Sequence, residues 1–141
     1  IMVQKEMAER ISANPGTKAR SVLTFSVEYF AQAEYLFNIP RENFTPAPNV
    51  DSAFLKISIL RDKKYENMIS EDLFFKYVKA GFMTKRKNIV NNLYRLGYDK
   101  KELRKLLRDN DISPKKRAEE FSIDEYIEMI KLIEKKATKV S

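Results

Sequence analysis

The chain has 141 residues, of which 43% are hydrophobic and 33% charged, so it can form one domain or a modest domain with a small appendage. It contains no Cys, no His and only three widely spaced glycines, which excludes disulfides, Cys/His zinc sites, imidazole-based triads, P-loops and Gly-rich dinucleotide turns. The net charge is +7, and because residues 1–60 hold as many acids as bases, the whole excess lies after residue 60 and indicates a polyanionic partner.

The chain opens on an apolar run, residues 1–3, which is typical of the end of a buried strand, and a helix is predicted to follow to about residue 13. A buried strand needs neighbours on both sides, so we expect the chain to be a fragment of a longer protein whose preceding part supplied the rest of a sheet. After a turn at 14–17, the apolar spacing predicts a second helix over about 19–31.

Two further strands are predicted over residues 33–39 and 50–60. The side chains expected on one face of the second are Ala53, Leu55, Ile57 and Ile59. The intervening segment 44–49 begins with Phe44 and contains two prolines, which fix φ and favour extended neighbours. We therefore predict a stiff, open loop that presents Phe44, braced by side-chain hydrogen bonds from Asp51 and Ser52.

After a polar segment over 61–69, predicted to be a linker, the remaining chain has the pattern of helices. Ser70 is the expected N-cap of a helix that buries Phe74, Phe75, Val78 and Phe82.

The following helices are predicted from their ends and their apolar spacing. One ends at Gly97, a short one covers about 99–108, one is expected to start at Ser113-Pro114, and the last is capped by Ser122.

Several of these segments together resemble the ribosomal RNA adenine dimethyltransferases, and most closely the KsgA-type enzymes that dimethylate small-subunit ribosomal RNA. The segments that carry the resemblance are Gln4-Lys5-Glu6, the stretch from Phe44 to Ala53, Lys85-Arg86-Lys87 with Asn91-Asn92-Leu93, and Arg117-Ala118-Glu119. The Phe-x-Pro-x-Pro-x-Val-Asp-Ser stretch is the most specific of them, and the resemblance covers essentially the whole chain.

The resemblance implies an α/β remnant, the last strands of a Rossmann-like methyltransferase sheet, followed by a small all-α C-terminal domain. Residues 1–60 would be the end of the catalytic domain and residues 70–141 a helical RNA-engaging domain. The family's S-adenosylmethionine motifs are absent from this chain, so the cofactor is expected to bind the missing N-terminal part and the fragment to be inactive alone. The implied partners are small-subunit ribosomal RNA and the immature small subunit, in the cytoplasm, with the complete enzyme a monomer.

The resemblance also implies site residues. Phe44 corresponds to the family's phenylalanine that packs against the target adenine; alternatively it only anchors the strand connection in the core. The residues expected to contact RNA are Lys85, Arg86, Lys87, Asn91, Asn92, Lys115, Lys116 and Arg117. Such charge runs can also be solvated faces, and Arg117 with Glu119 can equally be an internal ion pair.

Two other functions are compatible with parts of the pattern. The helices around 86–96 and 99–108 could form a non-catalytic, helix-turn-helix-like nucleic-acid-binding module, against which the strand-rich residues 1–60 argue. The other is an antibiotic-resistance methyltransferase that acts on large-subunit ribosomal RNA, which the proline loop does not distinguish from the small-subunit type.

Overall fold

The computed structural model describes residues 1–137 and residue 139, and it divides into two units between Tyr65 and Glu66. This boundary lies inside the segment 61–69 that the sequence predicts as a linker. Tyr65 and Ile69 are nevertheless buried, so the segment is not a free polar connection.

The first unit is a three-stranded antiparallel sheet with two helices. Its elements are β1 (Met2–Gln4), α1 (Lys5–Ile11), α2 (Val22–Phe30), β2 (Ala31–Ile39) and β3 (Ser52–Ile59). The strand order is β1-β3-β2, so β3 is central and antiparallel to both neighbours. The alternation predicted for β3 is confirmed at Ala53 and Leu55, which are buried in one cluster with Ala8 and Ile11 of α1.

The sheet departs from its predicted form at two places. The helix predicted over about 19–31 is α2, Val22–Phe30, and the strand predicted from residue 33 begins two residues earlier, at Ala31, directly after the helix. Ile59, expected on the buried face of β3, is 76% exposed. It pairs with Ala31 at the last position of the ladder, and the seven-residue α1 does not extend its buried contacts that far.

The second unit is built of helices. Its elements are α3 (Glu71–Gly81), α4 (Ile89–Leu93), α5 (Lys100–Asp109) and α6 (Ile123–Lys136), with 3-10 turns at Tyr94–Leu96 and Ala118–Glu120. The predicted N-caps are confirmed: Ser70 Oγ accepts from Leu73 N–H, and Ser122 Oγ from Glu125 N–H. Gly97 has φ 105°, the left-handed C-cap conformation that the sequence predicts.

Two tyrosine hydroxyls join the buried faces of the helices. Tyr126 Oη of α6 donates to the Tyr77 carbonyl oxygen at 2.6 Å, and Tyr77 Oη lies 2.8 Å from Tyr98 Oη. Burial raises the pKa of both Tyr77 and Tyr126 well above the ordinary value, because the charged phenolate is disfavoured away from water. Gly81, the last residue of α3, faces the Tyr126 hydroxyl so closely that a Cβ atom would collide with it. These contacts fix the point from which the chain leaves α3.

The helix predicted to begin at Ser113-Pro114 does not form. Lys116 N–H donates to the Ser113 carbonyl oxygen, which closes one turn, and the next helical segment is the short 3-10 turn at Ala118–Glu120. The residues after Pro114 are Lys115, Lys116 and Arg117, and none of them is apolar and able to hold a longer helix against the core. A single helical turn is not stable by itself.

The longest α-helix of the described residues, α6, has 14 residues, and none of the described helices has both the length and the apolar character needed to cross a bilayer.

Candidate nucleic-acid interface

The loop that carries Phe44 lies at the end of the sheet where two strands finish. Gln4, the last residue of β1, and Ile39, the last residue of β2, both pair with Ser52 at the start of β3. Lys5 N–H donates to the Asp51 carbonyl oxygen at 3.0 Å, which joins the end of the loop to the start of α1. Residues following the carboxyl ends of strands are where open α/β sheets bind ligands.

Asp51 holds the two ends of this loop together, as the sequence predicts. Its carboxylate accepts from Arg41 N–H at 2.9 Å and from Asn38 Nδ2 at 3.4 Å, while Arg41 Nη1 donates to the Asn49 carbonyl oxygen at 3.3 Å. The hydrogen bond from Arg41 N–H is the main reason why the pKa of Asp51 lies below its ordinary value. The interaction is therefore complete at neutral pH and is lost as the pH falls through that lowered pKa.

Phe44 is partly exposed, and Pro46 and its neighbours from 45 to 50 are exposed. Phe44 N–H donates to the Arg41 carbonyl oxygen at 3.2 Å, which closes the 3-10 turn Arg41–Asn43 at the start of the loop, and the Thr45-Pro46 peptide bond is cis. An aromatic ring with part of its surface free, on a loop where β1 and β2 end, is accessible for stacking on a base. The stacking role of Phe44 remains a prediction.

Asn38 and Arg41 hold the loop through the Asp51 carboxylate, and neither residue was predicted from the sequence. Asn38 is the penultimate residue of β2, and Arg41 follows Pro40. Their only sequence signal is position, because a polar strand end followed by proline is a common way to start a loop.

The basic turn, defined here as Lys85-Arg86-Lys87, connects α3 to α4, and all three side chains are exposed. Lys87 N–H donates to the Thr84 carbonyl oxygen at 3.1 Å, so the segment is a tight turn. No ion pair to any of the three cations is present among the described residues, and their charges are free to meet an external anion.

Asn92, predicted to contact RNA, is fully buried, and this part of the prediction is wrong. Its Nδ2 donates to the carbonyl oxygens of Gly81 and Thr84 at 2.8 and 3.0 Å, and its Oδ1 accepts from Thr84 N–H at 3.2 Å. Asn92 thus forms hydrogen bonds with backbone groups of the segment that connects α3 to the basic turn. It positions this turn and is itself too buried to contact a ligand.

Asn91 is partly exposed, and its backbone N–H donates to the Asn88 side chain that caps α4, at 2.9 Å. Asn88 is therefore the N-cap of α4, and the amide side chain of Asn91 stays available at the surface.

The structure places the second predicted basic segment, 115–117, beside the basic turn. Ile89 N–H, two residues after Lys87, donates to the Lys116 carbonyl oxygen at 2.8 Å. Lys115 and Arg117 are exposed, and the described residues offer neither of them an ion pair. The predicted alternative of an Arg117–Glu119 ion pair is not formed; Arg117 N–H instead donates to Glu120 Oε1 at 3.0 Å.

Lys116 is the exception within this segment. Its Nζ lies 3.0 Å from Glu125 Oε2 and 4.6 Å from the centre of the Phe121 ring, so its charge is already engaged inside the helical unit. The pKa of Glu125 is lowered, first by the hydrogen bond from Ser122 N–H and also by Lys116. RNA contact by Lys116 remains a prediction, and the exposed cations without an ion pair among the described residues are those of the basic turn with Lys115 and Arg117.

We expect Asn92→Ala to lower the melting temperature of the helical unit and to weaken RNA binding at the same time. The substitution leaves the buried carbonyl oxygen of Gly81 and the backbone N–H of Thr84 without their Asn92 partner, whereas the Thr84 carbonyl oxygen keeps the hydrogen bond from Lys87 N–H. A buried polar group left without a partner costs about 1–3 kcal/mol. Thermal unfolding and RNA titration of the same samples check this result. Asn91→Ala is the matched control and should change stability by no more than about 0.5 kcal/mol; equal effects of the two substitutions would contradict the positioning role.

Comparison with known proteins gives this surface a context. The sequence profile of the family described as "Ribosomal RNA adenine dimethylase" matches residues 1–135. The "Ribosomal RNA small subunit methyltransferase A" of Fusobacterium nucleatum is 59% identical over 134 residues, which are 95% of this chain and 50% of that protein. The chain therefore spans about half the length of this curated relative.

Two solved structures share the fold. A dimethyladenosine transferase from Plasmodium falciparum superposes with a TM-score of 0.76 at 24% identity, over 99% of this chain and 59% of that one. The 23S rRNA methyltransferase ErmE superposes with a TM-score of 0.67 at 18% identity, over 94% of this chain and 53% of that one. At these identities the two structures establish an α/β methyltransferase-like fold, and the match to the sequence profile over 1–135 establishes more: the chain belongs to the ribosomal RNA adenine dimethylase family.

Proposed function

We propose that the protein carrying this chain dimethylates adenines of small-subunit ribosomal RNA during ribosome biogenesis in the cytoplasm, with S-adenosylmethionine as methyl donor. The observation that carries the proposal is the 59% identity, over 95% of this chain, to a protein named as a small-subunit ribosomal RNA methyltransferase. In this proposal residues 1–60 are the last part of the catalytic domain, and residues 70–141 are a helical domain that engages RNA.

The described residues do not fit an S-adenosylmethionine site. A cofactor cradle needs close backbone approach at a strand end, but the positive-φ glycines lie elsewhere: Gly16 is in the turn after α1, and Gly97 caps the 3-10 turn after α4. The strand ends Gln4 and Ile39 are followed by α1 and by the proline loop, with no glycine. We therefore assign the binding of S-adenosylmethionine to residues outside this chain.

Phe44 is proposed to stack on the target adenine after this base has left its own stack in the RNA. An exocyclic amine that is stacked in RNA is inaccessible, so the base has to leave its stack, and an aromatic face replaces part of the lost stacking, worth about 1–3 kcal/mol. Phe44 is partly exposed at the carboxyl ends of β1 and β2, on a loop tied by Asp51. That placement supports Phe44 as the stacking face.

The role proposed for the second unit is to hold the RNA backbone. Lys85, Arg86, Lys87, Lys115 and Arg117 are exposed, unpaired within the described chain, and brought together by the Ile89–Lys116 hydrogen bond. Phosphate contacts of this kind supply affinity and orientation without reading sequence. Sequence choice is then left to the site that receives the adenine.

The proposal is tested by quantifying N6,N6-dimethyladenine in ribosomal RNA. We expect the complete protein to methylate small-subunit RNA from a strain that lacks the enzyme, and a strain without the gene to lack the modification. Methylation of large-subunit RNA instead would favour the antibiotic-resistance type, and RNA binding without any methylation would favour a non-catalytic module.

We expect reversal of the basic turn, Lys85→Glu, Arg86→Glu and Lys87→Glu together, to weaken binding of the complete protein to small-subunit RNA. Each lost phosphate contact removes about 0.7–0.9 from the slope of log affinity against log salt concentration, so the triple variant should flatten that slope by about 2–3. Titrations at several salt concentrations measure both quantities.

The matched control reverses three exposed cations of α3 and α6, Lys76, Lys79 and Lys131, which changes the net charge equally. An unchanged affinity and slope in the basic-turn variant, or equal losses in the two variants, would mean that the basic turn is an ordinary solvated surface and does not contact RNA.

A further inference from the structure

The cations of α5 lie on one side of the helix. At 100° per residue, Lys100, Lys101, Arg104, Lys105 and Arg108 fall within an arc of about 140°. The two acids of the helix, Glu102 and Asp109, fall at the border of this arc, next to Lys105. We call the arc of five cations the α5 basic face.

The packing of α5 directs this face outward. Leu103 and Leu107 fall outside this arc, on the side next to Lys100, and are each 1% exposed. The helix start is fixed by Asp99 Oδ1, which accepts from Glu102 N–H at 3.0 Å. The orientation is thus set by the core and the cap. The basic face is what remains for solvent or a partner.

Three of these five cations have no ion pair within residues 1–137 and 139. Lys100 Nζ lies 4.3 Å from the centre of the Tyr94 ring and is engaged there. Lys101, Lys105 and Arg108 are exposed, and no ion pair to them occurs among the described residues. Elsewhere exposed cations do find acids, as Arg10 does with Glu6 at 2.8 Å. Like charges crowded on one helix face disfavour the isolated helix, so this arrangement is not explained by helix stability.

The α5 basic face has no exposed apolar side next to it, which favours a nucleic acid over a membrane as its partner. A membrane-surface helix must offer its apolar side to the bilayer, but Leu103 and Leu107 are buried in the protein. Successive turns of the face, such as Lys101 to Lys105 and Lys100 to Arg104, repeat the cations every ~6 Å, a spacing comparable to that of phosphates along a nucleic-acid strand. Arg104 also lines a shallow groove with Tyr94 and Gly97 at the start of the helix.

From these observations we infer that the α5 basic face is a second RNA-backbone contact, separate from the basic turn. The basic turn comes directly before α4, and α5 comes after the 3-10 turn that follows α4. The helical segment between them along the chain, residues 89–96, is about 12 Å long. The inference rests on the proposed function in that the polyanion is taken to be RNA. It adds a surface that holds the backbone at a second point.

The test compares two neutralised variants of the complete protein on a 20-base-pair RNA duplex of arbitrary sequence. One variant carries Lys101→Gln, Lys105→Gln and Arg108→Gln, and the control carries Lys76→Gln, Lys79→Gln and Lys131→Gln, so both lose three charges. We expect the α5 variant to lose about tenfold or more in affinity at 0.1 M salt and about 2–3 from the salt slope. The control should lose less than about threefold with the slope unchanged.

The outcomes separate this inference from the proposed function. If the α5 variant keeps its slope, or falls no further than the control, the inference is wrong, whatever the basic-turn variant does. If wild type methylates small-subunit RNA while the α5 variant binds the duplex normally, the proposed function stands without it. Circular dichroism confirms that α5 is retained, because glutamine keeps helix propensity; loss of duplex binding with full helicity is the supporting result.

Discussion

Phe44→Ala in the complete protein is expected to lower the rate of adenine methylation about ten- to a hundredfold, because the extruded base loses one stacking face worth about 1–3 kcal/mol. The melting temperature should hardly change. Phe44 is partly exposed on a loop whose ends are held by Asp51, and it is outside the buried cluster of the sheet. Single-turnover methylation of small-subunit RNA, with thermal unfolding of the same samples, measures both effects.

Two kinds of control sharpen this result. Phe44→Tyr and Phe44→Trp keep an aromatic face and should retain most of the activity. Phe37→Ala removes another exposed aromatic ring from the same unit, one whose centre lies 5.2 Å from that of the Phe54 ring, and it should leave the rate nearly unchanged. A large drop in melting temperature for Phe44→Ala with normal methylation by the folded enzyme would make Phe44 a core anchor.

The sequence predicted best those features that depend on one or two neighbouring residues. The caps at Ser70 and Ser122 and the left-handed Gly97 follow from local geometry, and all three are confirmed. The Asp51 clamp was also predictable, because a short carboxylate next to a proline loop has few partners other than nearby backbone N–H groups.

The features that it predicted wrongly depend on packing between distant segments. Asn92 is of a residue type common on RNA-binding surfaces, yet its amide is buried against backbone groups of Gly81 and Thr84. The ion pair of Lys116 with Glu125 of α6 also joins segments that are distant in the sequence. The Ser113-Pro114 pair is a good helix start, but a start signal forms a helix only where apolar residues follow at helical spacing. Which basic residues remain free was therefore visible only once the helices were placed.

Arg20 has a structural role that its residue type does not reveal. In the charge count it is one of six bases in a neutral segment, but its side chain is fully buried in the first unit. Its Nη1 donates to the Ala13 carbonyl oxygen and to Glu28 Oε2, both at 3.0 Å, and its Nη2 to Glu28 Oε1 at 2.7 Å. The guanidinium also lies 4.3 Å from the centre of the Phe25 ring. It joins the loop after α1 to Phe25 and Glu28 of α2.

Arg20→Ala is therefore expected to destabilise the first unit by about 3 kcal/mol, at the lower end of the range for removing one partner of a buried ion pair. The Ala13 carbonyl oxygen loses its donor and a large side chain leaves a cavity beside Phe25, whereas Glu28, whose side chain is 28% exposed, can still be hydrated. Urea unfolding of the complete protein, followed by a probe in this unit, measures the loss.

The matched control for Arg20 is Arg10→Ala, in the same unit. Arg10 pairs with Glu6 at the same kind of distance, 2.8 Å, but the two side chains are 52% and 78% exposed, and such a pair contributes about 0.5 kcal/mol or less. Raising the salt concentration should weaken the Arg10–Glu6 pair and leave the Arg20 contribution nearly intact, because ions in solution screen exposed charges and do not reach a buried guanidinium. Equal destabilisation by the two substitutions would mean that Arg20 is solvated in solution and that the loop after α1 is held by other contacts.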